Sequence, residues 1–149
     1  NIKLLILGDG PLRKVLELQV TSYKLQDRVY FLGFIEGGEI PMYLRVSHIF
    51  VRPSLSEGMG NSFIEAMAAG IPVIGTAVGG ITDFLKHKET GFVCKVKDPK
   101  GIAEQVRFIV APQNTSVVER IVKNAQTLVE KRHDWDKIAV DMRNIFAKI

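Results

Sequence analysis

The chain alternates two hydrophobic periods. Short apolar runs closed by glycine or proline read as buried strands: residues 2–7 before Gly8-Asp9-Gly10-Pro11, 29–32 before Gly33, 48–51 before Pro53, 72–76, and 91–95. Between them, apolar positions recur at helical spacing. Leu12, Val15, Leu16 and Tyr23 place a helix over 11–25, with Pro11 in its first turn. Segments 39–46 and 62–69 read as short helices, the second closed by Gly70. Gly79-Gly80 opens another over 81–85.

The C-terminal third is helical. Asp98-Pro99 offers a cap and a first-turn proline, and Ile102, Val106, Ile109 and Val110 form one face. Val118, Ile121, Val122, Ala125 and Val129 form a second face. Asp134 caps a last helix along which Ile138, Met142, Ile145 and Ile149 line up. Apolar strands alternating with helices predict an α/β fold: a Rossmann-like, mostly parallel sheet with helices on both faces. Such sheets bind ligands beyond the carboxyl ends of their strands. The glycine-rich turns at 8–10, 58–60 and 79–80 each follow a strand and precede a helix, so all three are expected on one rim.

Composition narrows the class. With 149 residues the chain can bury one proper core, and 46% apolar with 24% charged residues is ordinary for a globular protein. No apolar run approaches the ~20 residues that span a bilayer. The opening run lacks the basic flank and small-residue cleavage site of a signal peptide. The chain opens without Met directly on a strand, which leads us to expect a piece of a longer polypeptide. Cys94 is the one cysteine and sits in a buried-looking strand, so a core role in a reduced, cytoplasmic setting is the simplest reading. His48, His87 and His133 are far apart, and no metal-ligand spacing occurs. The net charge of +4 comes without a basic block or basic-aromatic interleaving, which argues against nucleic acid. A mild excess suits an anionic small ligand or an acidic membrane surface, while a solvated surface is the simpler account.

Candidate chemistry concentrates in 53–67, Pro-Ser-Leu-Ser-Glu-Gly-Met-Gly-Asn-Ser-Phe-Ile-Glu-Ala-Met. It reads as a strand end, a flexible loop and a helix start. Gly58 and Gly60 let a ligand approach the backbone. Free N–H groups over Asn61, Ser62 and Phe63, with the helix dipole, favour a phosphate. Glu57 and Glu65 bracket the loop and can accept hydrogen bonds from sugar hydroxyls. Ser62-x-x-Glu65 equally matches a capping box, in which Glu65 only bonds back to the helix start. Gly8-x-Gly10 is part of a dinucleotide fingerprint, but Arg13 replaces its third glycine, leaving NAD a weak alternative. Arg52, at a strand end, could face a phosphate; a solvated strand-end residue is the blander reading. His48 reads as packing.

Glu57 and Glu65 stand seven residues apart within Pro-Ser-x-x-Glu-Gly-x-Gly-x-x-x-x-Glu-Ala-Met-Ala-x-Gly-x-Pro-Val. This resembles the E-x7-E signature of the group 1 family of retaining GT-B glycosyltransferases. The similarity runs nearly end to end, through the Gly-Asp-Gly-Pro turn at 8–11, Val-Tyr-Phe-Leu-Gly at 29–33, Gly79-Gly80, Thr90-Gly91 and Trp135. It implies the C-terminal half of a GT-B fold: a single nucleotide-sugar-binding domain over 1–149, without its first strand and without the N-terminal acceptor domain. It implies a retaining hexosyltransferase within a longer chain, the fragment alone being inactive. Glu57 would touch the donor sugar as the catalytic carboxylate, and Glu65 the ribose. Backbone at Gly58, Met59, Gly60, Asn61 and Ser62 would hold sugar or diphosphate, and Gly33 and Phe34 would meet the base. Gly8, Gly10, Arg52, Gly79 and Gly80 are further donor-side candidates. The resemblance implies no metal and no cofactor beyond the nucleotide-sugar, an acceptor that could be lipid or glycan, and a cytoplasmic location compatible with the inner face of a membrane.

Three features depart from the family pattern. Met59 stands where Phe is common and Asp83 where Glu is frequent. The Arg/Lys loop that meets the diphosphate is not in the sequence. Two alternatives follow: a non-catalytic nucleotide-binding or assembly module of the same fold, and a sugar-nucleotide epimerase or phosphorylase-like GT-B enzyme.

Overall fold

The structure, a computed structural model, describes residues 2–148. Its packing divides into two compact units, Asn1–Ile40 and Pro41–Ile149, each described by itself.

In the first unit, strand β1 (Leu4–Leu7) is followed by helix α1 (Arg13–Ser22) and strand β2 (Val29–Gly33). The strands pair in parallel, Leu4 opposite Val29, and the register shifts between Ile6 and Leu7. The helix starts at Arg13 rather than Pro11, because Gly10 to Leu12 form a turn in which the Arg13 N–H donates to the Gly10 carbonyl at 3.1 Å. None of its residues is buried. A single 3₁₀ turn, Gly37–Glu39, lies at the end of this unit, and helix α2 (Ile40–Val46) belongs from Pro41 onward to the second.

The second unit carries strands β3 (Phe50–Arg52), β4 (Val73–Thr76) and β5 (Phe92–Cys94), in that order and all parallel. The sequence places β3 over 48–51. Pairing with β4 decides otherwise, setting Phe50 opposite Val73, Val51 opposite Ile74 and Arg52 opposite Gly75. Among the described residues the strands thus form two parallel sheets, one of two strands and one of three.

Helix α3 (Asn61–Ala68) connects β3 to β4, and helices α4 (Pro99–Val110), α5 (Thr115–Arg132) and α6 (Trp135–Phe146) follow β5. A core of Ile74, Phe92, Cys94, Val118 and Ile121 takes Ile102, Val106 and Ile109 from α4 against it, so three of that helix's four expected apolar residues pack and Val110 stays exposed. In α5 the stripe Val118, Ile121, Ala125 and Val129 is buried as its helical period requires. Asp98 caps α4 through the Gly101 N–H at 2.9 Å, and Asp134 caps α6 through the N–H groups of Asp136 and Lys137. Helix α6 buries none of its described residues; Met142 and Ile145 are exposed, and Ile149 lies outside the described residues. The helix expected over 81–85 is instead a 3₁₀ helix, Gly79–Asp83. No described helix is long and apolar enough to cross a membrane.

Phe63 sits at the centre of the site-bearing region. It is fully buried, edge-on to Phe50 with centroids 5.1 Å apart, and within 6.3 Å of Phe84. A Cβ at Gly75 would meet its ring at 2.6 Å, so β4 can approach α3 only with glycine there.

Candidate functional site

Parallel strands β3 and β4 end side by side, and the loops that follow them are sewn together. The buried Thr76 hydroxyl donates to the Ser54 carbonyl at 2.5 Å, and the Gly80 N–H donates to the Gly58 carbonyl at 3.0 Å. A Cβ at Gly80 would stand 2.6 Å from that carbonyl, and one at Gly79 would overlap the Glu57 carbonyl. Gly79 also takes φ +52°, in the left-handed region. These two glycines therefore hold the backbone of Glu57 and Gly58 by close contact. Gly58 is different: nothing lies within 4 Å of where its Cβ would be, so its backbone is open to a ligand.

The helix start is built differently from the sequence expectation. Gly60, buried and at φ +74°, is the N-cap of α3, and no side chain caps the helix. Ser62 lies inside the first turn, and its hydroxyl accepts from the Arg52 guanidinium at 2.6 Å. The capping box is thus not formed, and Glu65 is exposed on α3 with no side-chain hydrogen bond among the described residues. The Phe63 N–H is also not free, since it donates to the Gly60 carbonyl at 2.9 Å. The N–H groups of Gly58, Met59, Gly60, Asn61 and Ser62 have no protein partner among the described residues. They form a run of donors at the positive end of a helix.

Arg52 is exposed at its strand end, yet its side chain is engaged on two sides. Its second guanidinium nitrogen lies 3.0 Å from Glu57 Oε2, and the same oxygen accepts from the Ser54 hydroxyl at 3.1 Å. The Glu57 side chain is only 15% exposed. Its carboxylate is thereby fixed through one oxygen, and no hydrogen bond to the other is made among the described residues.

Glu57 borders a cavity of about 660 Å³, within the range of small-molecule sites. Gly58 and Met59 continue its wall from the same loop, and Gly80, Asp83 and Phe84 add the facing turn. The remaining wall is Arg132 and His133, at the junction of α5 and α6. Neither appeared as a candidate in the sequence. The Asp134 cap signals a helix break after them, but nothing local says where that break lands. Glu65, Asn61 and Ser62 do not line the cavity; they stand on the helix beside it. Among the described residues no three His, Cys, Asp or Glu side chains group closely enough to hold a metal ion.

The first unit gathers its own candidates. The Gly8 N–H donates to the Gly33 carbonyl at 2.7 Å, bringing the turn after β1 against the end of β2. Arg13 braces this corner through Asp9 at 3.5 Å, Glu17 at 2.9 Å and the Phe31 carbonyl at 3.4 Å. Its hydrogen bond to Glu17 is the main reason its pKa is raised. Gly8 and Gly10 have open space where a side chain would be, and Phe34 is 80% exposed.

A family model described as glycosyl transferases group 1 matches residues 1–128. The sequence is 34% identical to an uncharacterised glycosyltransferase of Methanocaldococcus jannaschii over 146 residues, 98% of this chain and 37% of that protein. It is 36% identical over 121 residues to a 2-deoxystreptamine N-acetyl-D-glucosaminyltransferase of Niallia circulans, covering 81% of this chain and 31% of the relative. The structure superposes on Anabaena HepE in complex with UDP-glucose with a TM-score of 0.87 at 25% identity, over 99% of this chain and 41% of that one. The chain spans well under half the length of each of these proteins.

Proposed function

The chain belongs to the glycosyl transferases group 1 family, and on that premise we propose that it is the donor-binding domain of a retaining hexosyltransferase. The observation that carries this reading is the pairing of two unlike surfaces. A carboxylate fixed at the mouth of a cavity, Glu57, adjoins five consecutive backbone N–H donors from Gly58 to Ser62. A nucleoside diphosphate sugar presents the complement: hydroxyls for the carboxylate, phosphates for the N–H run.

In this reading the free oxygen of Glu57 accepts from a hydroxyl of the transferred sugar. The donors from Gly58 to Ser62 and the dipole of α3 stabilise the leaving diphosphate as the bond from the anomeric carbon to its oxygen breaks. The acceptor hydroxyl attacks the same face, and its proton passes to the departing phosphate oxygen. Glu65, exposed and unengaged on α3, takes the ribose hydroxyls. No metal is required, because backbone donors and basic groups meet the charge. A uridine nucleotide is the first donor to test, since HepE binds UDP-glucose. The acceptor, lipid or glycan, binds a further domain of a longer protein. The protein works in the cytoplasm.

Backbone amide NMR during titration with UDP, GDP and ADP tests the reading. Shifts at Gly58 to Ser62 with one of them support it; no shift with any counts decisively against it. Glycosyl transfer by a longer protein containing this chain separates an enzyme from a binding or assembly module, and product mass separates transfer from epimerisation.

A further inference from the structure

The cavity beside Glu57 has a mixed wall that a diphosphate would not select. Two of its lining groups are carboxylates, Glu57 and Asp83, and both repel phosphate. Opposite in character stand Arg132, which only donates hydrogen bonds, and His133, which can donate or accept. Met59 and Phe84 supply apolar surface between them. Acceptor-only groups, donor groups and an apolar patch around one cavity match a neutral polyhydroxylated ring, whose hydroxyls donate and accept and whose C–H face is apolar.

The groups are also held in place. Asp83 ends the 3₁₀ helix that Gly79 and Gly80 lock against the Glu57 loop. His133 ends α5 through its N–H to the Val129 carbonyl at 2.8 Å and lies edge-on to Phe84, with centroids 6.2 Å apart. Asp134 then starts α6, so the junction cannot slide along either helix. Neither Asp83 nor Arg132 has a salt bridge among the described residues, so both are available to a ligand.

We propose that Asp83, Arg132 and His133, which face Glu57 across this cavity, determine which hexosyl group is accepted there. The inference rests on the donor-binding reading above and adds to it a specificity wall drawn from the 3₁₀ helix after β4 and the junction of α5 and α6. The phosphates stay on the backbone donors of the Gly58–Ser62 run, of which Asn61 and Ser62 lie beyond the cavity.

The test uses the 149-residue chain and the base that binds best among UDP, GDP and ADP. That diphosphate is compared with its glucose, N-acetylglucosamine and mannose conjugates by calorimetry and amide NMR. At least one conjugate is expected to move the amides of Asp83, Arg132 and His133, which the bare diphosphate leaves in place. Arg132→Gln, His133→Phe and Asp83→Asn are expected to weaken that conjugate about fivefold to tenfold while leaving the diphosphate's affinity unchanged. The amide spectra report whether each variant is folded. Conjugates that move only residues 58–62, or variants that bind them like the parent, overturn the inference and leave the donor reading standing. Absence of binding by all three diphosphates removes both.

Discussion

The Arg52 guanidinium lies 3.0 Å from Glu57 Oε2 and at the same time donates to Ser62 at 2.6 Å. One side chain thereby joins a strand end, a candidate catalytic carboxylate and a helix start. The pair is part-exposed, with Arg52 at 46% and Glu57 at 15%. Its direct worth to stability is therefore about 0.5 kcal/mol; its consequence lies in where it points the carboxylate.

Arg52→Gln should consequently leave the denaturation midpoint almost unmoved and weaken sugar-nucleotide binding about fivefold, with Arg52→Lys intermediate because an ammonium cannot fork to both partners. Urea denaturation and calorimetric titration read the two effects separately. Unchanged binding in Arg52→Gln would show that Ser54 alone holds Glu57.

Gly79 and Gly58 should behave oppositely. Gly79→Ala drives a methyl into the Glu57 carbonyl from a left-handed backbone, at an expected cost of about 3 kcal/mol. Gly58→Ala meets no atom within 4 Å, so stability should hold within about 0.5 kcal/mol, while nucleotide binding falls because the methyl shields the donors. Thermal melts of both variants, with binding measured on Gly58→Ala, check this. A stable Gly79→Ala would contradict the loop packing.

Stability should fall on mild acidification through His87. Burial, aided by the neighbouring Lys88, holds its pKa below the ordinary 6.5, and its neutral Nδ1 accepts the Val93 N–H at 3.1 Å. The unfolded ring takes a proton at higher pH than the folded one. The contribution is thus complete above 6.5 and is lost as pH drops from there through the lower folded value. His87→Asn keeps an acceptor without titrating. Its urea midpoint should change less than the parent's between about pH 7.5 and 5.5; equal slopes would rule His87 out as the source.

Phe63→Ala should cost about 3–5 kcal/mol, since the ring is fully buried and its packing with Phe50 and Phe84 supports the loop as well as the helix. Calorimetric melting would measure it. Cys94 should resist thiol reagents in the native state, because burial raises its pKa and disfavours the thiolate, and react promptly in denaturant.

The five strands, the caps at Asp98 and Asp134 and the buried stripe of α5 were all legible in the sequence. Each depends on residues within a turn or two of one another: an apolar run, a short acceptor before a helix, a period of 3.6. The resemblance carried by 53–67 likewise pointed to the right family, because its motif occupies one continuous stretch.

What the tertiary structure decided lies where distant segments meet. Ser62 looked like a cap until the end of β3 brought Arg52 to it, leaving the left-handed Gly60 to start the helix. Gly79 and Gly80 looked like a ligand turn, and their packing against Glu57 and Gly58 gave them a structural task first. Arg132 and His133 carried no local signal at all; the return of α5 across α3 sets them at the cavity. So for the stretch from Glu57 to Glu65, the sequence by itself supplied the carboxylates and the glycines. Which carboxylate is held, which N–H groups stay open and what faces them are long-range contacts, and spacing along a chain does not encode those.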